Sequence, residues 1–429
     1  MSTNSERQDI NKKNSPYRIL FASLIGPTIE YFDFYVFGTA AALIFPYLFF
    51  PDQNNQFAIL QSFLIFGTAF FSRPLGSIIF GHFGDKIGRK KTLIAALLTM
   101  GISTVVIGIL PTYETAGWWA PFLLTLCRIG QGVGLGGEWG GAVLLATENA
   151  PPEKRGWYAM FPQLGVPIGL FLSIIVYLGL LYFLSHDELL AWGWRIPFIF
   201  SIVLMMVGLW VRLSINETAE FKKAIIREER VNLPIIDVFF KHSRTLFLGT
   251  FAGMTTFILF YLVTAYLLSY ATNHLKLPFD KALQAEGIGA IFCAIFTIIT
   301  GKLADRIRRR TLMIGVTIIT GLYSFIIPYF LSSGITGVLA MSIIGLSIMG
   351  IVYSPLGAVL ASPYPTHVRY TGSSITFNLS GIVGASLAPY IAEYLVQHFD
   401  ASYIGYYLFL SSFISLICFV GFTDDEISN

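Results

Sequence analysis

Five ionisable side chains stand inside apolar stretches long enough to cross a bilayer: Glu30 and Asp33, then Arg73, then Arg128 and Glu138. A charge at bilayer depth costs at least about 2.5 kcal/mol, so each needs a partner, a proton or a ligand. Three carboxylates stand against two guanidinium groups. With all five ionised one carboxylate is in surplus, and a surplus carboxylate in a low-dielectric site is a candidate to hold a proton at neutral pH. An arginine can take a solute carboxylate through two parallel hydrogen bonds. A protonatable carboxylate beside such an arginine is the minimal equipment for coupling proton entry to an anionic solute. The same residues also fit a plainer role, an ion-pair network that clamps the first, second and fourth apolar runs together.

Spacing sharpens the set. Arg128, Gln131, Leu135 and Glu138 recur at i, i+3, i+7 and i+10, which is one face of a helix. At 1.5 Å per residue, Glu30, Arg73 and Glu138 each lie roughly 24 Å from the outer end of their helices. They therefore share a level, with Asp33 one turn further out and Arg128 roughly 10 Å in from the outside. The second half of the chain has almost no interior charge. Its polar candidates are Tyr261, Thr264, Tyr270, Tyr353 and Asn378, each of which also reads as ordinary packing. Proton coupling is accordingly assigned to Asp33, Glu30, Glu138 and Arg128. Solute binding is assigned to Arg73, Arg128, Gln131, Tyr31, Tyr261 and Asn378. Glu286 and Glu393 sit near helix ends and are expected to be solvated.

The elements that hold these residues follow from composition. The chain has 429 residues, of which 55% are hydrophobic and only 12% charged; a soluble chain carries about 25% charged residues. It reads as an all-α integral membrane protein. About 20 apolar residues cross the hydrocarbon layer, and twelve such runs are present, over 18–47, 57–82, 91–110, 121–147, 157–184, 195–213, 245–273, 282–303, 311–331, 336–361, 372–397 and 402–422. The polar stretch 214–244 reads as a cytoplasmic linker with one amphipathic helix on the membrane surface. The expected organisation is a tail (1–17), a six-helix bundle (18–213), the linker, a second six-helix bundle (245–422) and a short tail (423–429). The polar tail 1–17 lacks the features of a signal peptide. Of 28 Lys and Arg, Arg195, Lys276 and Lys281 fall in the odd-numbered loops and Arg73 and Arg128 inside runs. The others lie at the N-terminus, in the even-numbered loops or at helix ends facing them, which places both termini and the linker in the cytoplasm. The net charge of +3 says little by itself, and no nucleic-acid partner is expected.

One loop is written twice. Gly81, Asp85, Gly88 and Arg89 follow the second run, and Gly301, Asp305 and Arg309 follow the eighth, with Arg308 where Gly88 stands in the first copy. An aspartate there can cap the N-terminus of a neighbouring helix or pair with an arginine, and such a contact can form in one state and break in another. Gly81, Asp85, Gly88, Arg89, Asp305 and Arg309 are thus assigned to a gate between two parallel repeats. The glycines Gly132, Gly136 and Gly140 form a close-packing stripe. They are no nucleotide loop, because no strand precedes them. Pro27, Pro162, Pro167, Pro328, Pro355 and Pro389 are expected to kink their helices. Cys127, Cys293 and Cys418 lie in apolar runs without metal-ligand spacing, so neither a disulfide nor a metal site is expected.

The loop Gly81-x3-Asp85-x2-Gly88-Arg89-Lys90 resembles the signature of the major facilitator superfamily. More specific segments resemble its metabolite:proton symporter family: Ile29-Glu30-Tyr31-Phe32-Asp33-Phe34, Arg73-Pro74-Leu75-Gly76, Arg128-x2-Gln131-Gly132-x3-Gly136-Gly137-Glu138, Trp192-Gly193-Trp194-Arg195-Ile196-Pro197-Phe198, and Pro365-Thr366-x-Val368-Arg369-Tyr370-Thr371-Gly372. Ala146-Thr147-Glu148-Asn149-Ala150-Pro151 and Phe161-Pro162-Gln163-Leu164-Gly165 look most like the shikimate-permease-like branch. The resemblance implies a monomer in a bacterial inner membrane. It implies proton-driven uptake of a small organic acid by alternating access, with the proton gradient and no cofactor as energy source. A zwitterion carrier of the proline/betaine type and a metabolite exporter remain alternatives within the fold. The osmosensing proline/betaine members add a C-terminal coiled coil, which residues 423–429 do not supply. A receptor or a membrane enzyme is disfavoured, since no His cluster or nucleophile–base pair is spaced for chemistry.

Overall fold

In the bilayer core no water satisfies backbone N–H and C=O groups, so apolar runs close their own hydrogen bonds as helices. The computed structural model describes residues 16–51, 55–87, 89–136, 146, 150–151, 154–214, 234–365 and 368–428, and no strand occurs among them. Twelve rods appear among the described residues: α1 Pro16–Leu43, α2 Asn55–Ile87, α3 Arg89–Ile109, α4 Trp119–Gly136, α5 Arg155–Phe183, α6 Arg195–Ser214, α7 Ser243–Asn273, α8 Phe279–Leu303, α9 Arg309–Ser324, α10 Gly334–Ala361, α11 Arg369–Ala385 and α12 Ser402–Gly421. Nine of the spans are long and apolar enough to cross a membrane on those grounds alone.

The packing repeats. In the first six rods α1 packs on α5, α2 on α4 and α3 on α6; in the second six α7 packs on α11, α8 on α10 and α9 on α12. Between the sets, α5 lies against α8 and α2 against α11. Buried aromatics such as Phe34, Phe37, Phe66 and Tyr261 fill the interior, while Trp210, Phe413, Ile109 and Trp119 face outward. An outward face of that size and apolarity would aggregate in water and suits lipid.

Two expected kinks are breaks instead. α9 stops at Ser324, and Pro328 lies in the first turn of a new helix, Ile327–Ser332. α11 stops at Ala385, and Pro389 opens the helix Ala388–His398. Pro27, Pro162, Pro167 and Pro355 stay inside continuous helices. α7 carries a wide π turn at Leu262–Tyr266.

Of the linker, the helix Pro234–Lys241 is described. It buries Val238 in a cluster with Leu246, Tyr364 and Val368. The other charged residues of 214–233 lie outside the described residues. The C-terminal stretch is a docked helix, Asp424–Ser428, and not a loose tail. Asp424 pairs with Arg310 at 2.8 Å and Arg308 at 3.4 Å, Glu426 pairs with Arg244 at 3.0 Å, and Ile427 is buried. The hydrogen bond from Arg310 holds the Asp424 carboxyl below the usual carboxylate range. All three cysteines are free.

Candidate functional site

The tight seam between α2 and α4 places the two arginines. A Cβ at Gly136 would sit 1.9 Å from the Arg73 carbonyl oxygen, and one at Gly132 would sit 2.2 Å from that of Ala69. Only glycine allows the backbones to approach this closely. Arg128 is fully buried among Phe34, Phe37 and Phe66, with its guanidinium 4.0, 4.1 and 4.8 Å from the three ring centroids. Its Nε donates to the Phe66 carbonyl at 3.2 Å and its Nη1 to Gln131 Oε1 at 2.9 Å. Gln131 Nε2 in turn donates to Thr104 Oγ1 on α3 at 2.8 Å. Thr104 stands beside the Asp33 carboxylate, and Ser201 on α6 donates its hydroxyl proton to Asp33 Oδ1. The i, i+3 pair expected on α4 is thus bonded, and its chain of polar contacts reaches Thr104, whose own hydroxyl proton goes to the Met100 carbonyl at 3.0 Å. Aromatic faces stabilise a desolvated guanidinium by about 2 kcal/mol or more, which favours the charged form of Arg128 where no described carboxylate is in ion-pair distance.

Arg73 is also buried, 4.3 Å from the Phe70 ring centroid and 4.9 Å from that of Phe34. Its Nε and Nη2 have no hydrogen-bond partner among the described residues. It lines a cavity with Glu30, Tyr31, Leu135, Phe377 and Asn378, whose free space of about 10 Å³ is room for a single water. Glu30, although in that wall, is paired: Arg212 of α6 lies 3.1 Å from its Oε1. Counting Arg212, the surplus carboxylate of the sequence argument disappears. What singles out Asp33 is its surroundings, since it is buried with hydroxyls and no described cation within ion-pair distance. Glu138 and Gly88 lie outside the described residues, and the side chains of Asp85 and Arg89 do too; Gly81 is placed only as part of α2.

The second half meets this site at three points. The Tyr31 and Tyr353 hydroxyls share a hydrogen bond of 2.8 Å. Asn378 Nδ2 donates to Ser77 Oγ at 2.9 Å, and Ser77 donates to the Gly136 carbonyl at 2.6 Å. Tyr261 sits edge-on to Phe34, Phe66 and Phe70, with ring centroids 5.3–6.3 Å away.

At each end of the interior, bonds join the two six-helix sets. At one end the Asp305 carboxylate accepts from the backbone N–H of Gly156 at 2.7 Å and of Trp157 at 3.2 Å. These are first-turn amides of α5, so Asp305 caps a helix of the other six. Lys302 lies over the Trp157 ring at 5.2 Å. Arg309 opens α9, while Arg308 points to Asp424. At the opposite end, Glu393 accepts from Gln397 Nε2 at 2.9 Å and lies 3.1 Å from His274 Nε2. Gln397 also donates to the Gln56 carbonyl at 3.2 Å, and Tyr47 donates to Asn273 Oδ1 at 3.3 Å.

Several site residues were not among those picked from the sequence. Ser201, Thr104 and Arg212 reach the site only through folding. Arg212 carries a signal, a basic residue one position inside the end of the run 195–213, which by itself speaks only to orientation. Glu286 and Glu393, expected to be solvated, are 4% and 0% exposed. Neighbouring helices cover them, which distance from their own helix end does not reveal.

The Major Facilitator Superfamily profile matches residues 23–389. The chain is 46% identical to the inner membrane metabolite transport protein YhjE of Escherichia coli (strain K12), over 97% of this chain and 96% of that one. It is 34% identical to the shikimate transporter of the same organism, over 93% and 92%. The crystal structure of a D-xylose-proton symporter superposes with a TM-score of 0.72 at 17% identity, covering 94% of this chain and 96% of the other, a likeness of fold. The chain is a transporter and not an enzyme, and it belongs to the major facilitator superfamily.

Proposed function

We propose that this protein is a proton-coupled symporter of a small organic acid in a bacterial inner membrane, with both termini cytoplasmic. The observation that carries the reading is Asp33: buried, bonded by the Ser201 hydroxyl with no described cation in ion-pair distance, and beside Thr104, where the Arg128–Gln131–Thr104 chain ends. A hydroxyl donates to a carboxylate and accepts from a carboxylic acid, so Ser201 tolerates either state of Asp33. Arg73 takes the solute carboxylate on its unpartnered Nε and Nη2. Tyr31 and Asn378 offer hydroxyl and amide groups from the same cavity wall. A hydroxylated carboxylate of the shikimate kind matches that lining, and a shikimate transporter is among the relatives.

The bundles 18–213 and 245–422 rock against each other as the Asp305 cap and the Glu393 cluster open in turn. Neutralising Asp33 removes the cost of carrying its charge through the closed state, which ties proton movement to solute movement. The protein works as a monomer and needs no cofactor.

The test is transport by the reconstituted protein. A thermal-shift screen of shikimate, 2-oxoglutarate, citrate, proline and glycine betaine selects the solute. Asp33→Asn should then abolish accumulation driven by an inward proton gradient while keeping solute exchange. Undiminished uphill accumulation by Asp33→Asn would sink the coupling assignment.

A further inference from the structure

A second buried carboxylate lies on the other half of the molecule. Glu286 is 4% exposed, about 10 Å along α8 from the end that carries Asp280 and Lys281. It lines a separate cavity with Tyr35 and Thr39 of α1, Phe66 of α2, Leu170 of α5 and Tyr261 of α7. Oε2 is buried without a hydrogen-bond partner among the described residues. The titratable groups on the wall are Tyr35 and Tyr261. α10, packed against α8, has Tyr353 as its one titratable side chain, and that is bonded to Tyr31. No Lys, Arg or His lines the cavity. Arg128 lies over the Phe66 ring at 4.8 Å and does not line the cavity. The π turn of α7 opens on this cavity through Thr264 and Ala265, and such wide turns recur at functional sites.

An ionised carboxylate in that position has no described ion-pair partner, and no described donor on Oε2, to offset its desolvation. We propose that Glu286 is a second proton-binding site, on the half opposite Asp33, so that each half carries one exchangeable carboxyl. The proton enters from water as the cavity opens, adds to one carboxylate oxygen, and leaves from the same oxygen when the cavity meets the other side. The inference extends the proton-coupling reading to two carriers, and its test is independent of any solute.

The measurement is an infrared pH titration of the full-length protein in liposomes, in H₂O and D₂O, with no solute added. The wild-type protein should show a carboxylic-acid C=O band that grows as pH falls, shifts in D₂O, and is lost in Glu286→Gln. Asp33→Asn should keep that band. A titrating band unchanged in Glu286→Gln overturns the proposal, as does a Glu286 band that neither titrates nor exchanges. Where Glu286→Gln fails to fold, Glu286→Asp must retain the band with a displaced midpoint, and an undisplaced midpoint overturns the proposal. Uphill accumulation by Asp33→Asn would end the coupling reading while leaving this band to be judged separately.

Discussion

Tyr31 and Tyr353 join their hydroxyls at 2.8 Å across 322 positions of chain, tying α1 of the first six rods to α10 of the second. Both side chains are buried. Removing one hydroxyl leaves the other desolvated and unmatched, at about 1–3 kcal/mol, whereas removing both is close to neutral. Tyr31→Phe and Tyr353→Phe should each lower the melting temperature, and the double variant should recover most of the loss. Additive losses in a double-mutant cycle would show that the bond contributes nothing to the closed form.

The Asp305 cap makes a sharper demand. Its two bonds go to first-turn amides of α5, and loss of a helix cap costs about 0.5–2 kcal/mol. Asp305→Ala should therefore shift the ratio of closed to open at that end by about 2- to 30-fold. Pulsed electron resonance between spin labels on α5 and α8 should register longer distances. An unchanged distance distribution would reduce Asp305 to a surface residue.

Glu30 and Arg212 form a pair with side chains 4% and 12% exposed. Deleting one member of a buried pair strands the other, at about 3–5 kcal/mol. Arg212→Ala should unfold at markedly lower temperature than wild type, and Glu30→Gln/Arg212→Gln should be milder. If Glu30→Gln also retains uphill transport, Glu30 holds α1 to α6 and takes no part in coupling. Equal melting of Arg212→Ala and wild type would argue against the pair.

The C-terminal helix predicts a pH dependence outside the membrane. Arg310 depresses the Asp424 pKa on folding, so the docking contribution is complete above the unfolded carboxyl value of about 3.9. It is lost as pH falls through the lower folded value, because the unfolded state then binds more protons. A nitroxide on Ser428→Cys should be immobilised at neutral pH and become mobile only below that range. Asp424→Asn should mobilise it already at neutral pH. Mobility independent of both pH and Asp424 would refute the docking.

The spans were legible because hydropathy over about 20 residues is a local property. So was the Arg128–Gln131 pair, which needs only helical spacing, and so were Gly132 and Gly136 as contact points. The repeated loop indicated an aspartate that caps a helix, and Asp305 does so, on a helix of the opposite six. The identity of each partner was not legible. Ser201 lies 168 positions from Asp33, and Arg212 lies 182 from Glu30; no period within one helix encodes such contacts. The charge count failed for the same reason, as it stopped at five residues when Arg212 was the sixth. Pro328 and Pro389 produced breaks where kinks were expected, because whether a helix bends or restarts depends on what packs beside it.

The wide turn in α7 acts like one altered thread on a screw. It holds one residue more than the helix on either side. Rewinding it to the ordinary pitch would turn everything from Leu267 to Asn273 by about 100° and shift it by about 1.5 Å. Tyr261, before the turn, would keep its place against Phe66 and Phe70. Asn273 and His274, beyond it, would swing away from Tyr47 and Glu393. One local change of pitch thus unlocks that end of the molecule without disturbing the aromatic wall of the interior.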